Sequence, residues 1–169
     1  PWVVFPGNIQ GRHARETGPK GATLVTVEDR EIVSVAPLAL DEVRWERVSI
    51  DATDLPSVDD ILSSFSDSLS AVVAANGHRL SATRVEIVGR SPAHQELWRD
   101  PHGFEAQIRS VGMQQGLVWV EKVKVLTTRT VDLAALYEDD AVGALAHRIV
   151  ELAEDEAALD RYADLFDDL

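Results

Sequence analysis

"VRWERVSIDATDLPSVDDILSSFSDSLSAVVAANGHRLSATRVEIVG" (Val43–Gly89) contains a strand, a helix and a second strand in close succession. Its opening "VRWERVSI" (Val43–Ile50) alternates apolar and polar residues, the pattern of a strand with one buried face. Its end, "TRVEIVG" (Thr83–Gly89), is rich in β-branched residues and stops at a glycine. The stretch therefore predicts a β-α-β unit.

The segment between the two strands predicts an amphipathic helix. Ser57 is an N-cap candidate, and Asp60 three residues later makes a variant of the capping box. The pair Asn76-Gly77 supplies the stop signal. Apolar residues recur between these signals at helical spacing: Val58, Ile61, Leu62, Phe65, Leu69, Val72 and Val73.

Downstream, two more helices and a third strand are predicted. Ser91-Pro92 and Asp100-Pro101 each place an N-cap residue before a proline that suits the first helical position, so each predicts a short helix. "LVWVEKVKVL" (Leu117–Leu126) is the longest strand candidate. The middle of the chain thus reads β-α-β-α-β, with helices covering one face of a small sheet.

The two ends of the chain complete an α+β prediction. "WVVF" at the start reads as a buried strand, and "ATLVTV" (Ala22–Val27) with "EIVSVA" (Glu31–Ala36) reads as a hairpin. From Asp132 onward the pattern is helical. Its apolar positions fall seven apart at Leu145, Leu152, Leu159 and Phe166, but Glu156 and Ala163 interrupt the companion position, which argues against a long coiled coil. We expect three regions: strands over 1–40, a sheet-and-helix domain over 41–130, and acidic helices over 131–169.

Composition and charge restrict the function. The 169 residues are 45% apolar and 27% charged, contain no cysteine and carry a net charge of −13. Residues 131–169 hold two bases against twelve acids, whereas residues 1–30 hold four bases against three acids. Most of this surface should repel nucleic acid, so a polyanion contact is expected near the amino-terminal loop, with weak and salt-dependent DNA binding. No signal peptide or membrane-spanning run is present, which predicts a soluble, cytoplasmic protein.

The stretch "FPGNIQGRHARETGPKG" (Phe5–Gly21) is the part of the chain that looks suited to chemistry. Its glycines allow main-chain N–H groups to approach a ligand closely. Arg12, His13 and Arg15 suit contacts to phosphate oxygens, and Asn8 or Gln10 could orient them. The residues alone leave open a second interpretation, a surface loop with glycine turns and solvated charges.

The order of strand, Pro-Gly-Asn loop, strand and hairpin resembles the segment that follows the last metal-binding motif of calcineurin-like metallophosphoesterases. It is most similar to the SbcD-type DNA repair exonucleases and their YhaO-like branch. Pro6-Gly7-Asn8 and Glu16 match the loop of that branch. "RVEIVGRSPAHQEL" and "VWVEKVKVLTT" are similar to its capping domain. The resemblance implies that residues 1–40 are the last strands of a truncated phosphoesterase domain and that residues 41–130 form a capping domain that helps to position DNA. It also implies that Asn8, Arg12, His13 and Arg15 face the substrate.

The chain departs from that family in its metal ligands. The enzymes hold two metal ions with histidine and aspartate motifs, and none of those motifs occurs here. One His and one carboxylate, His13 and Glu16, do not complete a catalytic metal site. We therefore expect the carboxyl-terminal portion of a Mn²⁺-dependent phosphoesterase, with two Mn²⁺ ions in the full-length parent, no catalytic residue in this chain and no hydrolysis by the chain alone.

Several other side chains are interpreted as structural. His94 and His102 are expected to be surface or capping residues. Glu121 is expected to pair with Lys122 or Lys124 of an adjacent strand, or with a neighbouring helix. Trp45, Trp98 and Trp119 could stack on bases, but their scatter over separate elements favours core or interdomain anchors. Trp2 is expected to belong to a strand buried against a missing domain.

Two partner hypotheses remain open. The acidic tail either folds back on the sheet or docks on an SbcC-like ATPase through its apolar stripe, as the family resemblance implies. The rival to the phosphoesterase interpretation is a non-enzymatic acidic module that binds a basic protein. If a domain is missing, "WVVF" and the strand edges should stay uncovered and favour a homodimer, whereas a self-contained adaptor should bury Trp2 and Phe5.

Overall fold

The chain divides into two units, Pro1–Thr130 and Val131–Leu169. The computed structural model describes residues 3–5, 7–130 and 140–154. In chain order the first unit contains β1 (Gly21–Glu28), β2 (Glu31–Ala39), β3 (Val43–Asp51), α1 (Val58–Asn76), β4 (Leu80–Val88), β5 (Arg90–Ser91), α2 (His94–Arg99), α3 (Pro101–Gln114), β6 (Val118–Val125) and β7 (Thr128–Arg129). The described part of the second unit contains α4 (Asp140–Glu154).

A three-stranded parallel sheet, ordered β3-β4-β6, forms the centre of the first unit. Helices α1 and α3 touch each other and pack on the same face of this sheet. The core lies between them and the strands, and its fully buried members include Ile61, Phe65, Leu69, Val85, Ile87 and Ile108. The α+β class and the predicted β-α-β-α-β order are confirmed.

The ends of α1 follow the sequence signals. The Ser57 side chain accepts a hydrogen bond from the Asp60 N–H at 3.2 Å, and the Asp60 carboxylate accepts one from the Ser57 N–H, also at 3.2 Å. Gly77 ends the helix with φ 62°, in the left-handed region that favours glycine. The capping box and the stop at Asn76-Gly77 are both confirmed.

The two shorter helices follow their signals unequally. Asp100 caps α3 by accepting from the Gly103 N–H at 2.9 Å, with Pro101 in the first turn as predicted. The predicted cap at Ser91 is wrong, because Ser91 belongs to β5, which pairs with β7, and α2 begins three residues later. The Ser91 hydroxyl accepts instead from the N–H of Ala93. A local strand pairing therefore overrides the serine-proline signal.

The hairpin of β1 and β2 lies outside the central sheet. Its strands pair antiparallel with each other, and Asp29 and Arg30 make the turn with φ 49° and 69°. The two residues of positive φ give the strands the twist that a tight hairpin needs. Val27 and Ile32 face each other across the pair and are 56% and 48% exposed. The predicted hairpin is confirmed, but much of its apolar surface is uncovered.

The buried strand predicted at "WVVF" is wrong over the described residues 3–5. These residues form no strand, and Val3 and Phe5 are 81% and 85% exposed. A strand requires a hydrogen-bonded neighbour, and none of the described elements pairs with this segment. Trp2 lies outside the described residues.

Helix α4 is the described part of the predicted acidic tail. Leu145 and Ile149 lie four residues apart and are exposed. Arg148 and Glu151 form an ion pair at 3.1 Å on the same helix. The predicted apolar positions Leu159 and Phe166 lie outside the described residues. None of the helices in the described ranges has the length and apolar character that a bilayer crossing requires.

Candidate functional site

The loop before β1 is fixed to the edge of β3. The Gln10 side chain bonds to β3 as another strand would: its amide donates to the Val43 carbonyl at 2.6 Å and its oxygen accepts from the Val43 N–H at 3.3 Å. Further along, the Gly18 N–H donates to the Trp45 carbonyl at 3.3 Å. These bonds satisfy main-chain groups at the sheet edge and hold the loop beside the sheet.

Glycine at position 11 permits close contact between the loop and Trp45. The Trp45 indole N–H donates to the Gly11 carbonyl at 3.0 Å. A Cβ atom on Gly11 would lie 3.0 Å from both the Trp45 ring and the Glu16 carbonyl oxygen. A larger residue would require the indole or the Glu16 main chain to shift, so this glycine permits close packing.

Glu16 is the centre of the loop. Its carboxylate accepts from the Asn8 amide at 2.8 Å and from the Arg12 main-chain N–H at 3.3 Å, and it lies 3.2 Å from His13 Nε2. Desolvation raises the pKa of Glu16, but the hydrogen bonds from Arg12 and Asn8 outweigh it and leave that pKa below its usual value. Glu16 is therefore an anion around which the loop is arranged.

The four predicted substrate-facing residues are thus only partly brought together. Asn8, Arg12 and His13 surround Glu16, and His13 Nδ1 accepts from the main-chain N–H of Arg15 at 3.2 Å. In neutral His13 this bond places the proton on Nε2, which faces Glu16. The Arg12 side chain is mostly exposed and Arg15 is exposed. Sequence reasoning noted Glu16 as part of the loop pattern but missed that it binds the others.

A groove of about 450 Å³ lies on the other side of the loop, between the loop and the hairpin. Gly7, Asn8 and Lys20 line it on the loop side, and Thr23 and Leu38 line it on the hairpin side. The Lys20 ammonium group donates to the Thr17 carbonyl at 2.5 Å and so stays next to the loop. Asn8 is the predicted residue that belongs to both the Glu16 cluster and this groove.

The sheet face opposite the helices, here called the open face, carries aromatic and charged side chains. Since successive strand residues point to opposite faces, the burial of Val48, Val85 and Val120 towards the helices places their neighbours on the open face. Trp45, Ala82 and Trp119 lie in register across the three strands. The two indoles meet edge to face over the small alanine, with ring centroids 6.4 Å apart.

The next rows of the open face are charged. Arg47, Arg84 and Lys122 are in register, and Glu86 and Lys124 follow one row further. Arg84 forms a two-bond pair with Glu121 at 2.9 and 3.0 Å. Glu86 accepts from Arg47 at 2.8 Å and from Lys124 at 3.0 Å. Sequence reasoning placed Glu121 with a lysine, but its hydrogen-bonded partner is Arg84 on the neighbouring strand.

These pairs set the ionisation of the open face. The hydrogen bonds from Arg47 and Lys124 lower the pKa of Glu86, and the bonds from Arg84 lower the pKa of Glu121. Both carboxylates are therefore ionised near neutral pH. Even so, the four cations Arg47, Arg84, Lys122 and Lys124 outnumber them, so these rows are net positive in a chain whose overall charge is −13.

A buried ion pair joins the hairpin to the sheet. Asp41 follows β2, is 2% exposed and accepts two bonds from Arg44 at 2.8 and 2.9 Å. Arg79 approaches the same carboxylate at 3.4 Å and donates to the Asp41 carbonyl. The bonds from Arg44 lower the pKa of Asp41, although burial opposes the shift. The joint thus holds the hairpin, the loop and the sheet in one arrangement.

The described residues contain no group of three His, Cys, Asp or Glu side chains placed to hold a metal ion. His13 and Glu16 supply one imidazole and one carboxylate, and these are bonded to each other. Two-ion phosphoesterase chemistry needs several ligands for each ion, so these residues do not fit it.

The other singled-out side chains have structural surroundings. His94 Nδ1 lies 2.9 Å from the Thr127 hydroxyl. Trp98 and Trp119 are 57% and 51% exposed, so neither Trp is buried in the core.

Comparison with known proteins shows that the chain is similar to metallophosphoesterases of the YhaO type. Residues 45–128 match the family model of the middle domain of the metallophosphoesterase YhaO. The chain is also 28% identical over 178 aligned residues to an uncharacterized metallophosphoesterase YhaO of Bacillus subtilis (strain 168). That alignment covers 98% of this chain and 42% of the relative. No solved structure matches the chain.

Proposed function

Because this chain is related to the YhaO-type metallophosphoesterases, as the sequence resemblance implied, we propose that it is the substrate-positioning carboxyl-terminal part of such an enzyme. The chain spans less than half the length of the relative it matches. In this proposal the preceding part of the protein supplies the metal ligands, two Mn²⁺ ions and the hydrolytic chemistry on a DNA phosphodiester. The loop around Glu16 forms one wall of the substrate site.

The uncovered hairpin is the observation that carries this proposal. A two-stranded hairpin alone is at best marginally stable in water, and natural ones add to a larger sheet or pack against a helix. Here the apolar side chains of β1 and β2 are exposed, including Leu24, Val27, Ile32, Val33 and Leu38. Val3 and Phe5 are further apolar residues with exposed side chains. A phosphoesterase sandwich that continues through β1 and β2 would bury these groups.

The same observation counts against the acidic adaptor. A self-contained adaptor was expected to bury Phe5, and Phe5 is 85% exposed. The partner proposed for the second unit is an SbcC-like ATPase, and the exposed apolar pair Leu145 and Ile149 on α4 supports it. The helix belongs to an acidic segment and presents apolar residues spaced four apart. Such a helix suits an apolar groove with Lys and Arg at its rim.

The proposal assigns positioning, and no bond-breaking step, to the residues of the loop. Arg12 and Arg15 are exposed cations suited to phosphate oxygens that flank the reacting group. Asn8 and His13 are held by Glu16, so they are oriented before a ligand arrives. Fixing polar groups in advance lowers the entropy that substrate binding would otherwise cost.

The test compares this chain with a longer protein in which a phosphoesterase domain precedes Pro1, as the proposal requires. Hydrolysis of bis(p-nitrophenyl) phosphate with Mn²⁺ is expected from the longer protein and not from the chain alone. Val27→Asp should destabilise the longer protein, because it buries an unpaired charge in the sandwich, and should leave the helical circular dichroism of the isolated chain unchanged. Leu145→Asp is the matched control for stability: it changes an exposed apolar residue in the other unit, so it should destabilise neither protein.

Two results would contradict the proposal. One is turnover by the isolated chain that disappears in His13→Ala. The other is equal tolerance of Val27→Asp in both proteins, which would mean that the hairpin stays exposed in the longer one.

A further inference from the structure

We propose that the open face of the sheet binds a single-stranded nucleic acid, with Trp119 stacking on an unpaired base. The inference rests on the proposed function for its biological setting and extends it to a second surface, beyond the loop. It concerns the rows Trp45-Ala82-Trp119 and Arg47-Arg84-Lys122.

The exposure of this face is unusual for a parallel sheet. Parallel strands occur almost only in sheets with both faces covered. Here α1 and α3 cover one face, whereas Trp119 on the other is 51% exposed and Arg47 has a side chain 53% exposed. The side chains of the open face therefore suit a ligand with polar and aromatic chemistry better than an apolar core.

Aromatic and cationic side chains occupy adjacent rows of the open face. An aromatic row lies directly beside a row of three cations in register. Strand residues two apart are separated by about 6.6 Å, so the indoles and the cations are neighbours. Proteins that bind single strands combine aromatic platforms for bases with positive side chains for the backbone. A duplex hides its base faces, so an exposed Trp favours a nucleic acid with unpaired bases.

Strand β6 contains an irregularity. The register shifts there so that Thr83 is opposite Val120 while Arg84 is opposite Lys122, which leaves Glu121 as an extra residue. Bulges are rare between parallel strands, and they re-aim side chains. This one lets Glu121 neutralise Arg84 while exposed Lys122 is added to the same row. Lys122 has no ion-pair partner among the described residues, so it is free to contact phosphate.

The aromatic row of the open face lies next to the loop before β1. Trp45 contacts Gly11 and meets Trp119, so the aromatic row begins next to the loop that carries Arg12 and Arg15. A nucleic-acid strand that crosses the open face from the cation row would pass over the aromatic row and then reach the exposed cations Arg12 and Arg15 of the loop. The negative net charge of the chain disfavours nucleic-acid binding in general, so a local group of cations is the place where it is expected.

The test measures binding by the chain alone, without metal. A fluorescein-labelled oligothymidylate and a duplex of equal length are titrated by anisotropy at about 50 mM salt, where phosphate contacts are strong. The oligothymidylate should bind better than the duplex. Trp119→Ala should weaken its binding about tenfold, the range expected for one stacked base. Trp119→Phe should restore most of the affinity.

Two further variants locate the site. Trp98→Ala removes an equally exposed indole from α2, on the helix-covered side, and should bind like the unaltered chain. Lys122→Glu should weaken binding and lower the slope of log affinity against log salt by about one unit. Circular dichroism checks that each variant is folded.

Three outcomes would overturn the proposal. The first is no oligothymidylate binding at low salt. The second is equal binding by Trp119→Ala and the unaltered chain, and the third is equal losses in Trp119→Ala and Trp98→Ala. Because no hydrolysis is measured, these results are independent of the catalytic test above.

Discussion

The parallel sheet and the hairpin are built from similar β-branched sequences, but only the sheet has its own cover. In the sheet, Val85 and Ile87 are fully buried beneath α1 and α3. In the hairpin, Val27 and Ile32 are about half exposed, and no described helix packs on the pair to an appreciable extent. The difference teaches that strand propensity fixes the backbone, whereas burial depends on which other elements are present.

The largest expected effect separates the two regions directly. Phe65 is fully buried between α1 and the sheet, so Phe65→Ala should lower the free energy of unfolding by about 3–5 kcal/mol. Val27→Ala in the hairpin should change it by about 0.5 kcal/mol or less. Urea unfolding followed by circular dichroism measures both. Similar losses in the two variants would show that the hairpin is packed in solution.

The next effect concerns the joint between the regions. Asp41→Asn removes the charge that Arg44 and Arg79 share, leaves the buried Arg44 without its ion-pair partner, and should cost about 3 kcal/mol. Because Arg44 lowers the pKa of Asp41, this stability is present above the unfolded pKa and is lost as pH falls through the lower, folded value.

The pH profile provides the control for Asp41→Asn. The unaltered chain should lose this contribution in acid, and the variant should show a correspondingly flatter dependence below about pH 4. Parallel profiles for the two proteins would mean that the buried pair does not stabilise the joint.

A smaller effect than that of Asp41→Asn is expected at the start of α1, the helix that covers one face of the sheet. Ser57→Ala removes the side-chain half of the capping box and should cost about 1 kcal/mol. Hydrogen exchange should then speed up in α1 and the strands beneath it, while hairpin amides keep their rates. Faster exchange in β1 and β2 as well would indicate that the hairpin and the sheet unfold together.

The sequence predicted the elements whose signals are local. Ser57 with Asp60, Asn76-Gly77 and Asp100-Pro101 each act over a few residues, so their positions could be derived without tertiary information. The Ser91 signal failed because the pairing of β5 with β7 joins residues distant in the chain. "WVVF" failed for a related reason, since apolar content does not supply a partner strand.

The candidate site was predictable in composition and not in arrangement. The loop residues were found from their types, but their grouping around Glu16 depends on a turn that brings Asn8 and His13 to one carboxylate. The pairing of Arg84 with Glu121 depends on strand register and on the irregularity in β6. Register comes from long-range packing, so alternation within a strand gives the face of a side chain but not its neighbour.

Ala82 sets the shape of the surface on which Trp45 and Trp119 meet. It is fully buried under the two rings, and a methyl group is all that separates them from the backbone of the middle strand. A valine at this position would act as a wedge, tilting the indoles apart and roughening the platform without altering a single charge. The small size of Ala82 thus determines how closely a flat molecule can approach the surface formed by the two indoles.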